Sequence, residues 1–97
     1  MAEQKLTPVP FTDVKLRDGF WAPRQRTARD VTLPVTYQRC EETGRIDALR
    51  LEWEPGDPQR PHQFWDSDVA KWIEGAAYTL AQAPDEALEA QVDELVD

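Results

Sequence analysis

The clearest hydrophobic periodicity in the chain lies in its second half, where apolar side chains recur every three or four residues. The stripe comprises Val69, Trp72, Ile73, Ala76, Ala77 and Leu80. This spacing predicts an amphipathic helix that buries one face. We expect Asp66 or Ser67 to cap the start of this helix, because Asp and Ser are preferred N-cap residues, and Ala83-Pro84 to end it.

A second stripe predicts another helix that opens with Pro84-Asp85-Glu86, whose acids in the first turn suit the positive end of a helix dipole. This stripe consists of Leu88, Val92, Leu95 and Val96. It still runs at Asp97, without the glycine, proline or basic last turn that commonly ends a helix. We therefore expect the chain to be the truncated start of a larger helical domain.

The pattern between residues 22 and 53 is weaker. Residues 24–32 and 35–42 have helical composition, and Pro34 between them predicts a kinked or broken helix. Gly44 supplies the left-handed position that often follows a helix. A short helical turn is expected after it, and the proline-rich residues 54–61 are expected to form a loop.

The N-terminal residues predict a different structure. Residues 9–16 are rich in β-branched and aromatic side chains, and Asp18-Gly19 indicates a turn after them. A lone strand cannot satisfy its backbone hydrogen bonds, so this strand should pair with something outside the chain. We therefore divide the sequence into an N-terminal extended segment, residues 1–21, and a mainly α-helical part, residues 22–97.

Composition narrows the possible partners. The net charge of -8 and the pI near 4.5 disfavour nucleic acid and anionic membranes. No apolar run approaches the roughly 20 residues of a membrane span, and residues 1–8 have neither the basic start nor the apolar run of a secretory signal, so we expect a cytoplasmic protein. Hydrophobic residues make up 40% of the chain and mean hydropathy is -0.69, which predicts a thin core.

The richest polar pattern is the run around Asp66-Ser67-Asp68. Two carboxylates at a helix start are most simply explained by capping and by the helix dipole. Because aromatic faces beside carboxylates are also typical of sugar sites, the adjacent Phe64-Trp65 leaves a sugar-binding role open. Two acids so close in sequence cannot flank a glycosidic bond as acid and nucleophile, and a hydrophobic staple explains the aromatics equally well.

Other reactive side chains favour structural roles. Cys40, the only cysteine, lies near a helix C-terminus beside two glutamates, which disfavours a thiolate and indicates a buried structural thiol. His62 has no second ligand at metal-binding spacing. Trp72 is expected in the core, and Lys71 and Glu74 on an exposed face. We predict no catalytic residue and no metal ligand in this chain.

In order along the chain, several motifs resemble the opening of glycoside hydrolase family 127, the β-L-arabinofuranosidase family. They are Phe11 to Trp21, Leu33-Pro34, Thr43-Gly44-Arg45-Ile46, Asp66-Ser67-Asp68-Val69, Lys71-Trp72-Ile73-Glu74, Ala76-Ala77-Tyr78 and Pro84-Asp85. The resemblance covers nearly the whole chain, and the run from Asp66 to Glu74 is its most specific part.

The resemblance implies an N-terminal strand that joins a distant β-sandwich, followed by the first helices of an incomplete (α/α)6 barrel. It also implies a retaining enzyme for arabinofuranosides, in which a zinc-bound cysteine is the nucleophile and a glutamate the acid/base. Those residues lie downstream of the matched motifs, and Cys40 does not match the zinc-binding cysteine. The residues that resemblance and pattern together assign to sugar binding are Phe64, Asp66, Ser67, Asp68 and Lys71.

Two interpretations from other classes remain. The chain could be a stand-alone acidic helical module that docks a protein partner, or a carbohydrate-binding remnant without catalysis. We expect the chain to be the N-terminal part of an arabinofuranosidase, inactive alone and functional with the remainder of the enzyme.

Overall fold

The computed structural model describes residues 3–97, which are mainly α-helical and contain no strand. The helices are α1 (Trp21–Thr27), α2 (Leu33–Glu42), α3 (Trp65–Gln82) and α4 (Glu86–Val96), with a π-helical turn over Ala28–Thr32 and 3₁₀ turns over Phe11–Asp13 and Asp47–Arg50. Since the π turn joins α1 to α2 without a break, the chain forms three rods that pack on one another. No helix within the described residues is both long and apolar enough to cross a membrane.

The strand predicted for residues 9–16 is absent from residues 3–97, so that prediction needs correction. Phe11–Asp13 instead form a 3₁₀ turn, in which the Val14 N–H donates to the Phe11 carbonyl at 3.1 Å. A strand needs a neighbour for its hydrogen bonds, and the described residues offer none, so local bonds replace the ladder. The Phe11 ring packs edge-on against Tyr78, with 5.1 Å between ring centroids.

Pro34, where the sequence predicts a kinked or broken helix, follows a π turn and does not break the helix. In an α-helix the proline ring would clash with the carbonyl four residues earlier, which belongs to Asp30. Here the Leu33 N–H donates to the Ala28 carbonyl five residues back, and this wider turn changes the backbone just before the proline. The helix therefore continues through Pro34 instead of breaking.

The core lies where the rod formed by α1 and α2 crosses α3 and α4. Its buried side chains are those of Leu33, Tyr37, Trp72, Ala76 and Leu88. The indole N–H of Trp72 donates to the Leu33 carbonyl at 2.9 Å, and the Trp72 ring lies against Tyr37 with 4.9 Å between centroids. This buried hydrogen bond and the ring contact fix α3 against α2.

Both predicted apolar stripes are largely confirmed. In α4, Leu88 is buried and Val92 and Leu95 pack against the core, whereas Val96 is exposed. In α3, Val69, Trp72 and Ala76 are buried, while Ala77 lies at the edge of the stripe and is exposed. The start of α4 also agrees with the sequence, because the side chain of Asp85 accepts a hydrogen bond from the Leu88 N–H at 3.1 Å.

The chain is extended for its length. Its Cα radius of gyration is 17.9 Å, whereas a compact domain of this length has about 12–13 Å. Its accessible surface is 8190 Å², against about 5,700 Å² for a compact monomer of this mass. Large apolar side chains such as Trp21, 64% exposed, account for part of the excess. The helices thus leave much apolar surface in water.

We predict that Trp72→Phe lowers the free energy of unfolding by about 1–3 kcal/mol, because it keeps most of the ring packing but removes the indole donor from a buried carbonyl. Urea unfolding followed by circular dichroism at 222 nm measures this. Trp21→Phe is the matched control on an exposed ring and should change stability by less than about 0.5 kcal/mol. Equal losses in both variants would contradict the assigned importance of the Trp72 bond.

Candidate functional site

The start of α3 differs from the predicted one. The helix begins at Trp65 with Phe64 as N-cap, and no side chain caps it, so the prediction that Asp66 or Ser67 is the cap is wrong. Asp66 instead accepts a hydrogen bond from the neighbouring Ser67 N–H at 2.8 Å, and the Ser67 hydroxyl donates to the Phe64 carbonyl at 3.2 Å. Asp66 and Asp68 both lie in the first turn, where the helix dipole favours acids.

Asp68 forms the main polar link between α3 and the preceding segment. The Nε of Arg45 donates to Asp68 Oδ2 at 2.7 Å, and the two side chains are 21% and 42% exposed. Of the five ion pairs found within the described residues, this is the only one that joins residues distant in sequence. It therefore holds the end of α2 to the start of α3.

The position of Arg45 follows from how α2 ends. Gly44 has φ +77°, and its N–H donates to the Glu41 carbonyl while the Arg45 N–H donates to the Cys40 carbonyl at 2.9 Å. These two bonds form a Schellman motif, which requires a left-handed residue after the helix. The motif reverses the chain, so that Arg45 faces α3 instead of extending α2.

A groove of about 530 Å³ lies between α2 and the first turns of α3. It is lined by Leu33, Thr36, Arg39, Cys40, Thr43, Arg45, Asp68, Lys71 and Trp72. Of the residues predicted to bind sugar, Asp68 and Lys71 line this groove, whereas Phe64, Asp66 and Ser67 do not. The structure therefore brings together only two members of the predicted set.

The ion pair in this groove keeps unused hydrogen-bonding capacity. Within residues 3–97, Arg45 uses only its Nε and Asp68 only its Oδ2 in side-chain hydrogen bonds. No side-chain polar atom of a half-buried or buried described residue is both buried and unpaired. The two terminal nitrogens of Arg45 and Oδ1 of Asp68 are consequently accessible to solvent or to a ligand.

Sequence reasoning did not identify Arg39, Arg45, Thr36 and Thr43 as part of a site. The pairing of Arg45 with Asp68 spans 23 positions and depends on the turn at Gly44, so no local pattern indicates it. The sequence feature that could have identified Arg45 is its position directly after Gly44, because a glycine that ends a helix turns the next residue away from the helix.

Cys40 lines the same groove and is half-buried. Burial raises the pKa of its thiol, the charge of Arg45 opposes that rise, and the charge of Asp68 adds to it. The sequence predicts a buried structural thiol, whereas Cys40 is only half-buried, with a raised pKa that disfavours the thiolate. Within residues 3–97, no three His, Cys, Asp or Glu side chains lie close enough to share a metal ion, so these residues do not form a zinc site around Cys40.

Comparison with known proteins identifies a family. The family model of the β-L-arabinofuranosidase GH127 catalytic domain matches residues 13–97, as a partial domain. No curated protein and no solved structure matches the chain. The match spans most of the chain, including both the α2–α3 groove and the helices that pack it.

Two glycines provide a paired test of this architecture. We predict that Gly44→Ala lowers the free energy of unfolding by about 1–2 kcal/mol, because an L side chain is strained in the left-handed region. Gly75→Ala should raise it by up to about 1 kcal/mol, because Gly75 lies inside α3 and an added Cβ would meet only the Leu33 Cδ2 atom, at 3.7 Å. Thermal unfolding of both variants measures the two signs.

The reactivity of Cys40 tests the charges around it. We predict that Asp68→Asn lowers the pKa of the thiol and that Arg45→Gln raises it, since these charges act on it in opposite directions. The pH dependence of iodoacetamide alkylation gives the pKa of the thiol in each variant. A change in the accessibility of Cys40 would instead change the alkylation rate by the same factor at every pH. Shifts of the same sign in both variants would contradict the geometry.

Proposed function

The chain belongs to glycoside hydrolase family 127, the β-L-arabinofuranosidase family, and we propose that it supplies the first helices of an (α/α)6 catalytic barrel and part of its sugar-binding surface. In this proposal α2 and α3 act as scaffold, and the groove between them contacts the arabinofuranoside. The chain alone binds weakly and does not hydrolyse.

The observation that carries this proposal is the half-buried pair of Arg45 and Asp68. The pair offers accessible guanidinium donors beside an accessible carboxylate oxygen. Neighbouring hydroxyls on a sugar ring are both donors and acceptors, so one can accept from Arg45 while the next donates to Asp68. Hydrogen bonds to charged groups are also stronger than neutral ones. A furanose with adjacent free hydroxyls therefore matches this edge of the groove.

We assign direct sugar contact to Asp68, with Lys71 one helical turn further along the same wall. Phe64, Asp66 and Ser67 lie outside the groove lining, so in this proposal they shape the start of α3 rather than contact this sugar. The ring of Trp72 also lines the groove and supplies part of its apolar surface. Polar groups set in an apolar lining are typical of small-molecule sites.

The expected lack of activity follows from the functional groups in the groove. Asp68 is its only carboxylate, and glycoside hydrolysis needs two reacting groups on either side of the scissile bond. The thiol of Cys40 has a raised pKa, which makes it a poor nucleophile. We therefore propose that the catalytic pair and the zinc ligands implied for the family belong to other parts of the enzyme.

The large accessible surface, which includes exposed apolar side chains such as Trp21 and Phe64, supports a role within a bigger assembly. The accessible area exceeds that of a compact monomer of this mass by about 2,500 Å². An excess of that size is comparable to the area buried in large obligate interfaces. We propose that the rest of a family 127 enzyme covers these helix faces.

Titration with methyl β-L-arabinofuranoside, followed by tryptophan fluorescence, tests the proposed site, because Trp72 lines the groove. We expect saturable binding with a Kd on the order of millimolar. Asp68→Asn should weaken binding about tenfold, since it removes a charged hydrogen-bond acceptor. Asp66→Asn is the matched control, because it removes the same charge two residues away and outside the groove, and should change the Kd by less than about twofold.

Equal loss of affinity in both variants, or no binding to the folded chain, would overturn the proposed sugar site. Circular dichroism of each variant verifies that the helices are retained. The same samples, incubated with an aryl β-L-arabinofuranoside, zinc and a thiol reductant, should release no phenol. Turnover that Cys40→Ser abolishes would contradict the expected inactivity.

A further inference from the structure

We propose that copies of this chain associate head to tail, with the last turn of α4 of one copy bound in a basic hollow beside α1 of the next. This inference goes beyond the proposed function, because it assigns a partner to two surfaces that share no residue with the lining of the α2–α3 groove. The groove stays open in such an assembly.

The basic hollow has a volume of about 550 Å³ and lies where the N-terminal segment and α1 meet the end of α3. Its lining contains the cations Lys15, Arg26 and Arg29 but no carboxylate. Arg29 is matched by its ion pair with Asp30 at 3.0 Å, and the charge of Asp85 also reaches it. Lys15 and Arg26, in contrast, form no ion pair within residues 3–97. Two unmatched positive charges therefore remain in this hollow, although the whole chain has a net charge of -8.

The same hollow also offers an apolar surface. The rings of Phe11 and Tyr78, which meet edge to face at 5.1 Å, both line it and are both exposed. Exposed aromatic rings beside arginine are the composition that is enriched in protein interfaces. The hollow therefore matches a segment that presents an apolar side chain among carboxylates.

The last turn of α4 presents that combination. Residues 86–97 contain five carboxylates and no cation, and none of the five forms an ion pair in the part of the chain that the structure describes. Asp93 and Asp97 lie four residues apart, so their like charges repel, and the negative end of the helix dipole disfavours both. The side chain of Val96 beside them is 68% exposed. A cationic surface with an apolar floor relieves each of these costs.

The two surfaces lie too far apart in the fold to serve one another within a single chain. Glu94, Val96 and Asp97 line a separate hollow beside Tyr37, and no residue of that hollow lines the basic one. The contact therefore needs a second copy. Since each copy has one surface of each kind, a head-to-tail contact leaves both kinds free at the ends, and association continues past two copies.

The exposed area is sufficient for such a contact. A standard interface removes about 800 Å² from each partner. The accessible surface of this chain exceeds that of a compact monomer by about 2,500 Å². A contact of this kind therefore fits within the excess and leaves surface for other partners.

Sedimentation velocity of the full chain between about 5 and about 200 μM tests this inference. We expect the weight-average mass to rise with concentration from the 11.2 kDa of one chain to beyond twice that mass. The contact should have a Kd on the order of 10–100 μM, because small charged interfaces are weak. About 0.5 M NaCl should weaken it about fivefold or more, because salt screens exposed charges.

Two double variants remove one surface each. K15Q/R26Q takes the unmatched cations from the hollow, D93N/D97N takes two carboxylates from α4, and each should weaken association about tenfold. Circular dichroism verifies that both variants keep their helices.

The matched control is K5Q/R60Q, which also replaces one lysine and one arginine. Neither residue lines the basic hollow or the hollow at the end of α4. This variant should associate as the wild-type chain does.

A 1:1 mixture of K15Q/R26Q and D93N/D97N distinguishes a head-to-tail contact from other modes of association. The first variant keeps an intact α4 and the second an intact hollow, so one wild-type contact forms in each pair. We expect this mixture to associate with the wild-type Kd and to stop at two copies, since the remaining surfaces at the ends are neutralised.

A chain that stays monomeric at about 200 μM in low salt overturns the inference, and the two surfaces are then left to the remainder of the enzyme. Association that is equal at both salt concentrations points to apolar aggregation and also overturns it. The same holds if K5Q/R60Q weakens association as much as K15Q/R26Q does, or if the mixture associates no more tightly than its two components.

Discussion

The bond from the Trp72 indole to the Leu33 carbonyl is the constraint on which the rest of the arrangement depends. Few side chains in this chain are buried, and this bond fixes α3 on α2 at the point where the π turn gives way to an α-helix. A donor and an acceptor that are both buried must meet each other, because water cannot replace either partner there. The alignment of the two helices then brings the start of α3 beside the turn after α2. Without that alignment, Arg45 and Asp68 would not meet.

Sequence patterns identified the parts of the structure that depend on local rules. The apolar spacing of α3, the acids at the start of α4 and the glycine after α2 are each explained by side chains within a few residues. The strand over residues 9–16 was not predictable in the same way, because a strand forms only if a neighbouring strand accepts its hydrogen bonds. At Pro34 the sequence could not distinguish a kinked helix from a broken one, because the π turn that prevents the break lies in the backbone before the proline.

Only part of the candidate site could be predicted from the sequence. Asp68 and Lys71 were found because they lie in the distinctive run at the start of α3, but their partner Arg45 lies 23 residues earlier and reaches Asp68 only through the turn at Gly44. The run from Asp66 to Glu74 in fact serves two faces of one helix. Its apolar side chains pack the core, and two of its polar side chains, Asp68 and Lys71, line the groove between α2 and α3. Periodicity detects the first role, while the second depends on what the neighbouring helix brings opposite.

The large exposed surface has a thermodynamic consequence. Heat capacity of unfolding rises with the apolar area that folding removes from water, and a compact domain of this length would show about 1.2–1.5 kcal/mol/K. With 8190 Å² still accessible, this chain has a smaller increment, so its stability curve is shallow and varies little with temperature. The apolar area that folding leaves exposed is buried only on association. Binding of any surface that covers these helices therefore has a strongly negative heat-capacity change.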